Sequence, residues 1–154
     1  MATGALVGTT DIQTLTNKRI DGSTNTLTNV PSVAMASEAW TAYAPVWTNL
    51  TLGNGTVTAF FYQHGGVCHV RIKLAFGTTT TVAGIFYPSM PLAGVGASLD
   101  TGVAWAFDIS TSTFQAGVFV LNNYALFGTA RATTSLPWVW AVSDQLNIQI
   151  AYQV

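Results

Sequence analysis

The chain has 154 residues, 7% of them charged and 49% hydrophobic, with a mean hydropathy of +0.40 and a formal net charge of -1. That length supports one domain with its own core and argues against a second of full size. Five basic residues against six acidic ones leave no cationic stripe for phosphates, which excludes nucleic-acid binding, and the single Cys68 excludes an intrachain disulfide scaffold.

Soluble domains usually carry about 25% charged residues, so a monomer this thinly charged is poorly protected against association. Membrane or other protein is therefore expected to cover part of its apolar surface. Insertion into a membrane is the weaker choice. The uncharged span 74–99 is broken by Pro88, Pro91, a run of four threonines and several glycines, and shows no uniform apolar helix. The opening "MATGALVGTTDIQ" lacks the basic and continuous apolar regions of a signal peptide, so none is expected.

In chain order, the first feature is a polar repeat. The tetrapeptide TLTN occurs at Thr14–Asn17 and again at Thr26–Asn29, with Asp21-Gly22 offering a turn between the copies. The apolar positions Ile12, Leu15, Ile20, Leu27 and Val30 are too sparse for a buried strand in a monomer. A lone two-stranded hairpin is marginal in water. Residues 1–39 are accordingly expected to form an extended arm held by neighbouring chains.

Residues 40–154 carry strand signals throughout. "PVWTNLTL" precedes a Gly53-Asn54-Gly55 turn; "TVTAFFYQ" then leads through a turn at His64-Gly65-Gly66 into "VCHVRIKLAF". In this last run Cys68, Val70, Ile72, Leu74 and Phe76 alternate with Val67, His69, Arg71, Lys73 and Ala75, which predicts one buried and one wet face. Further strands are expected at "TVAGIFY", "GVAWAFDI", "FQAGVFVL", "YALFGTAR" and "QLNIQIAYQV". No window has a helical period with caps. The fold class is all-β, an antiparallel β-sandwich or jelly-roll-like domain behind an extended N-terminal arm.

Chemistry finds little purchase. "HGGVCH" resembles a metal cluster only on paper, because alternation puts Cys68 and His69 on opposite faces and His64 in the turn. There is no G-x-S-x-G elbow, and Asp100, Asp108 and Asp144 each adjoin turn-like sequence, where Asp bonds backbone. "LGNGT" and "AGVGAS" lack the lysine of a phosphate loop. No catalytic residue, metal site or cofactor is expected. The acceptor patterns at Asn49 and Asn54 carry little weight without a signal peptide.

Aromatics are the better functional lead. Trp40, Tyr43, Trp47, Trp105, Trp138 and Trp140 suit sugar stacking where exposed, and core or interface filling where not, the second being the commoner use. Trp138 and Trp140 share one side of "PWVWA" and are the named candidates for glycan stacking.

The string "VGTTDIQTLTNKRIDGSTNTLTNVP", Val7 to Pro31, resembles segments that precede the distal domains of tailed-bacteriophage fibre and minor tail proteins. The sequence after it, with "WTAYAPVWTNLTLGNGTVTAFFYQHGG" and "LPWVWAVSDQLNIQIAYQV", is similar to terminal β domains of siphophage minor tail proteins. This resemblance implies a virion structural protein whose repeat segments wind together, often as a trimer, so that Leu15, Ile20, Leu27 and Val30 contact other chains. The expected role is a non-enzymatic homotrimer on the virion surface, assembled in the host cytoplasm. Its partners are the major capsid or a tail protein. The absence of a shaft inclines the reading to capsid decoration, with a minor tail or fibre protein binding a host cell-surface glycan as the alternative.

Overall fold

The structure is a computed structural model that describes residues 39–95, 100–121, 124–127 and 130–154. Apart from its last position, the expected arm of residues 1–39 lies outside the described residues, and with it Leu15, Ile20, Leu27 and Val30.

The described residues form ten strands in order: β1 (Thr41–Ala42), β2 (Trp47–Thr51), β3 (Thr56–His64), β4 (Val67–Ala75), β5 (Thr81–Pro88), β6 (Thr101–Asp108), β7 (Thr113–Val120), β8 (Tyr124–Phe127), β9 (Ala130–Arg131) and β10 (Gln145–Gln153). Eight of them form one sheet in the order β1-β3-β4-β10-β6-β7-β8-β9, and β2 pairs with β5 in a second sheet. Every pairing is antiparallel. The fold is all-β, an unequal sandwich of eight strands against two.

The predicted alternation of β4 holds residue by residue. Cys68, Val70, Ile72, Leu74 and the following Phe76 are buried, while Arg71 and Lys73 are exposed. β10 repeats the pattern in antiparallel register: Leu146, Ile148, Ile150 and Tyr152 oppose Leu74, Ile72, Val70 and Cys68. Each large apolar side chain buried this way is worth about 1.5–3 kcal/mol of transfer free energy. Leu50 and Phe86 of the small sheet complete the same core, and Phe76 meets Phe86 edge-on at 6.2 Å. Cα atoms of β5 also come within 8 Å of those of β8, so the small sheet leans on the far end of the large one.

Local chemistry fixes the connections. β3 and β4 form a two-residue hairpin in which His64 pairs with Val67 across Gly65-Gly66, and Gly65 takes the positive φ of +56° that such turns require. His64 is thus the last residue of the strand rather than part of the turn. In β2 the register against β5 shifts between Thr48 and Leu50, and Asn49 sits there with φ of 54°. This is a bulge, and Asn tolerates that backbone region. Asn49 Nδ2 donates to the Ile85 carbonyl at 2.9 Å, pinning the bulge to β5.

The Gly53-Asn54-Gly55 turn is tied to the loop after β4. Asn54 Oδ1 accepts from Thr79 N and Thr79 Oγ1, both at 2.9 Å, while its Nδ2 donates to Thr78 Oγ1 at 2.8 Å. Both asparagines of the acceptor patterns therefore spend their amides on the fold.

One expected strand divides. "YALFGTAR" is a hairpin, because the chain reverses so that Phe127 pairs with Ala130 and Leu126 with Arg131.

Candidate functional site

The solvent face of the large sheet collects the side chains that the core rejects. Cross-strand partners share a face, so the registers read directly as rows. One row runs Phe60–Arg71–Gln149–Val103–Val118 across β3, β4, β10, β6 and β7. The next runs Thr58–Lys73–Asn147–Trp105–Ala116, and a shorter one Tyr62–His69–Ala151. Trp40, immediately before β1, leans over the same region.

Aromatic contacts stiffen this face. Tyr62 and His69 stack at 4.5 Å and 2°, Trp40 meets Tyr62 edge-on at 4.6 Å, and Trp105 lies 5.7 Å from Phe114. The guanidinium of Arg71 sits 4.4 Å from the centre of the Trp40 ring and 5.1 Å from that of Phe60. At these distances the ring quadrupoles attract the cation.

Two shallow troughs flank the ridge formed by Arg71 and Gln149. One, of about 450 Å³, is bounded by Trp40, Tyr62, His69 and Val103, with Ala151 of β10 in its lining. The other, of about 300 Å³, lies between Phe60 and Trp105 with Lys73 and Asn147 on its floor. The Asn147 Nδ2 donor has no acceptor among the described residues. Beyond Trp105 the face turns apolar: Val103, Phe114 and Val118 are 57%, 58% and 43% exposed.

Trp138 and Trp140 are elsewhere. They do share a side, but that side packs against the core. Trp140 stacks on Phe76 at 4.6 Å and 9°, meets Phe86 edge-on at 5.7 Å, and donates Nε1–H to the Thr133 carbonyl at 2.8 Å. Trp138 lies 5.8 Å from Trp140, and its Nε1 is shielded from solvent. Tyr43 and Trp47 also pack against the core, which leaves Trp40 and Trp105 as the tryptophans of the outer face.

The potential catalytic groups are occupied with backbone. Asp108 accepts from Ser110 Oγ at 2.7 Å, Ser110 N at 2.9 Å and Thr111 N at 3.1 Å; these bonds hold its carboxyl below the usual carboxylate range. Asp144 is fully buried and accepts from Ala141 N at 2.8 Å and Ile109 N at 3.2 Å. Cys68 is fully buried with its thiol pushed up by burial, and burial likewise raises the hydroxyls of Tyr43 and Tyr152 beside it. Tyr152 is pinned at Leu92, where it donates to the carbonyl at 2.9 Å. Among the described residues no three His, Cys, Asp or Glu side chains converge as metal ligands.

Comparison with known protein families, with curated proteins and with solved structures returns no match.

Proposed function

We propose that this chain is a non-enzymatic structural protein of a tailed-phage particle, a trimer on the virion exterior that decorates and stabilises the capsid. The phage assignment rests on the resemblance of residues 7–31 to fibre and tail segments. The arm grips the lattice or its sister subunits through Leu15, Ile20, Leu27 and Val30, and the β domain stands outward.

The observation that supports a contact role is the bare apolar strip of β6 and β7. Val103, Phe114 and Val118 lie open on a chain with only 7% charged residues. Contiguous exposed apolar surface of this kind marks interaction sites. Covering it gains roughly 25 cal/mol per Å² of apolar area, less the cost of association.

The troughs beside Arg71 favour a second reading, a minor tail or fibre protein whose β domain binds a host cell-surface glycan. Copy number separates the two. Quantitative mass spectrometry of purified particles, ratioed to the major capsid protein, gives hundreds of copies for a decoration protein and a handful for a tail protein. Absence from the particle overturns both.

A further inference from the structure

The outer face is cationic in one respect that its surroundings do not neutralise. The described acidic residues are Asp100, Asp108 and Asp144, and none belongs to the rows that hold Arg71 and Lys73. Asp108 and Asp144 are committed to backbone donors. Arg71 is fixed by aromatic rings instead, which orients the guanidinium without satisfying its hydrogen bonds.

We propose that the trough between Phe60 and Trp105 binds a carboxylated sugar, with its carboxylate on Arg71. A guanidinium takes a carboxylate through two parallel hydrogen bonds, and Lys73 adds a second positive charge on the same floor. The amide of Gln149, exposed in the lining of this trough, supplies donors and acceptors for ring hydroxyls. The Trp105 indole gives an apolar platform for the C–H face of a pyranose. Phe60 and Trp105 stand three strand spacings apart, ~14 Å, wide enough for a ring and its substituents. Arg71 and Gln149 line both troughs, so a neighbouring sugar unit extends past them toward Trp40 and Tyr62.

An acidic peptide fits less well. Peptides commonly bind sheets by adding a strand at an edge, and β4, β10 and β6 are interior strands with neighbours on both sides. Two cations are also too few to track a phosphate backbone. The inference concerns the β domain alone and stands whether the chain belongs to a head or a tail.

Calorimetric titration of the full chain with a hyaluronan hexasaccharide, oligomannuronate and sialyllactose tests it, with maltohexaose as the neutral control and poly-glutamate as the acidic polypeptide. The expected result is saturable binding of at least one carboxylated sugar, with maltohexaose weaker by about tenfold or more. Arg71→Gln is expected to cost a similar factor, and Gln149→Ala a smaller one, with the thermal midpoint of each variant recorded beside its affinity. Gln149 is exposed, so its variant reports on the site if the Arg71 variant fails to fold. No binding by any of the three sugars overturns the proposal. So does equal binding of maltohexaose, or affinity unchanged in both variants. Tighter binding of poly-glutamate overturns it in favour of an acidic protein partner.

Discussion

Arg71 and Trp40 face each other at 4.4 Å although their elements, β4 and the approach to β1, are separated in the sheet by β3. The contact passes over Tyr62, whose ring meets Trp40 edge-on and stacks on His69. The first described residues are thereby fastened across three strands by side chains rather than by the two-residue β1 alone.

Removing that fastening has a modest cost. Trp40→Ala loses one cation–π contact and one aromatic pair, together about 1–2 kcal/mol. Urea denaturation of the two proteins measures it, and an unchanged midpoint at the same slope means that these contacts contribute nothing.

Asp144 has more at stake because its own side chain is fully buried. Asp144→Ala strands the N–H groups of Ala141 and Ile109 without their acceptor, and the expected loss is about 2–4 kcal/mol. Asp144→Asn keeps one acceptor oxygen and turns an NH₂ toward the other donor, so it recovers part of that loss. The same denaturation series checks both, and equal stability of all three proteins rules the role out.

Gly102 packs where β6 crosses β10. A Cβ there runs into the Gln149 carbonyl and the Ile150 side chain, neither of which is a flexible end. Gly102→Ala is expected to destabilise by about 2–3 kcal/mol through forced separation of the strands. A variant that unfolds at the wild-type urea concentration disproves the close approach.

Acid titrates the Asp108 turn. Its carboxyl is held below its unfolded value mainly by Ser110, so the stabilisation is complete above the unfolded carboxylate pKa of about 3.9. It fades as pH falls through the lower folded value. Asp108→Asn has no such proton to gain. Melting temperatures from pH 6 down to pH 2 should fall more steeply for the wild type than for this variant, and parallel profiles refute the linkage.

Cys68 gives a check on the core. Fully buried and with its thiol raised by burial, it should resist a disulfide reagent at pH 8 in the native protein and react fully in denaturant. Rapid native labelling contradicts its placement opposite Tyr152.

Much of this architecture was legible in the sequence because strand alternation is a local signal. The β4 run displays its buried and wet faces in nine consecutive residues, and the β10 run does the same. What alternation does not carry is neighbourhood. Nothing local says that β10 lies between β4 and β6, and only that placement assembles Arg71, Gln149 and Trp105 on one surface. The outward set Thr58, Phe60 and Tyr62 was a readable sign of an aromatic solvent face. Trp138 and Trp140 drew attention by spacing alone, and spacing does not distinguish a side turned to water from one turned to Phe76. The division of the "YALFGTAR" run shows only in the pairing of Phe127 with Ala130 and Leu126 with Arg131, which local strand propensity does not carry.

The position of β10 also dictates when the molecule can exist. As the chain leaves the ribosome, β4 and β6 emerge with no bond between them and must wait, their buried faces open, for a strand made last of the ten. Until Gln153 has cleared the exit tunnel the nascent chain is two unjoined half-sheets with unpaired interior edges, which is the form most prone to aggregation. Exposure of those edges during synthesis is then a hazard that the stability of the finished domain does not remove.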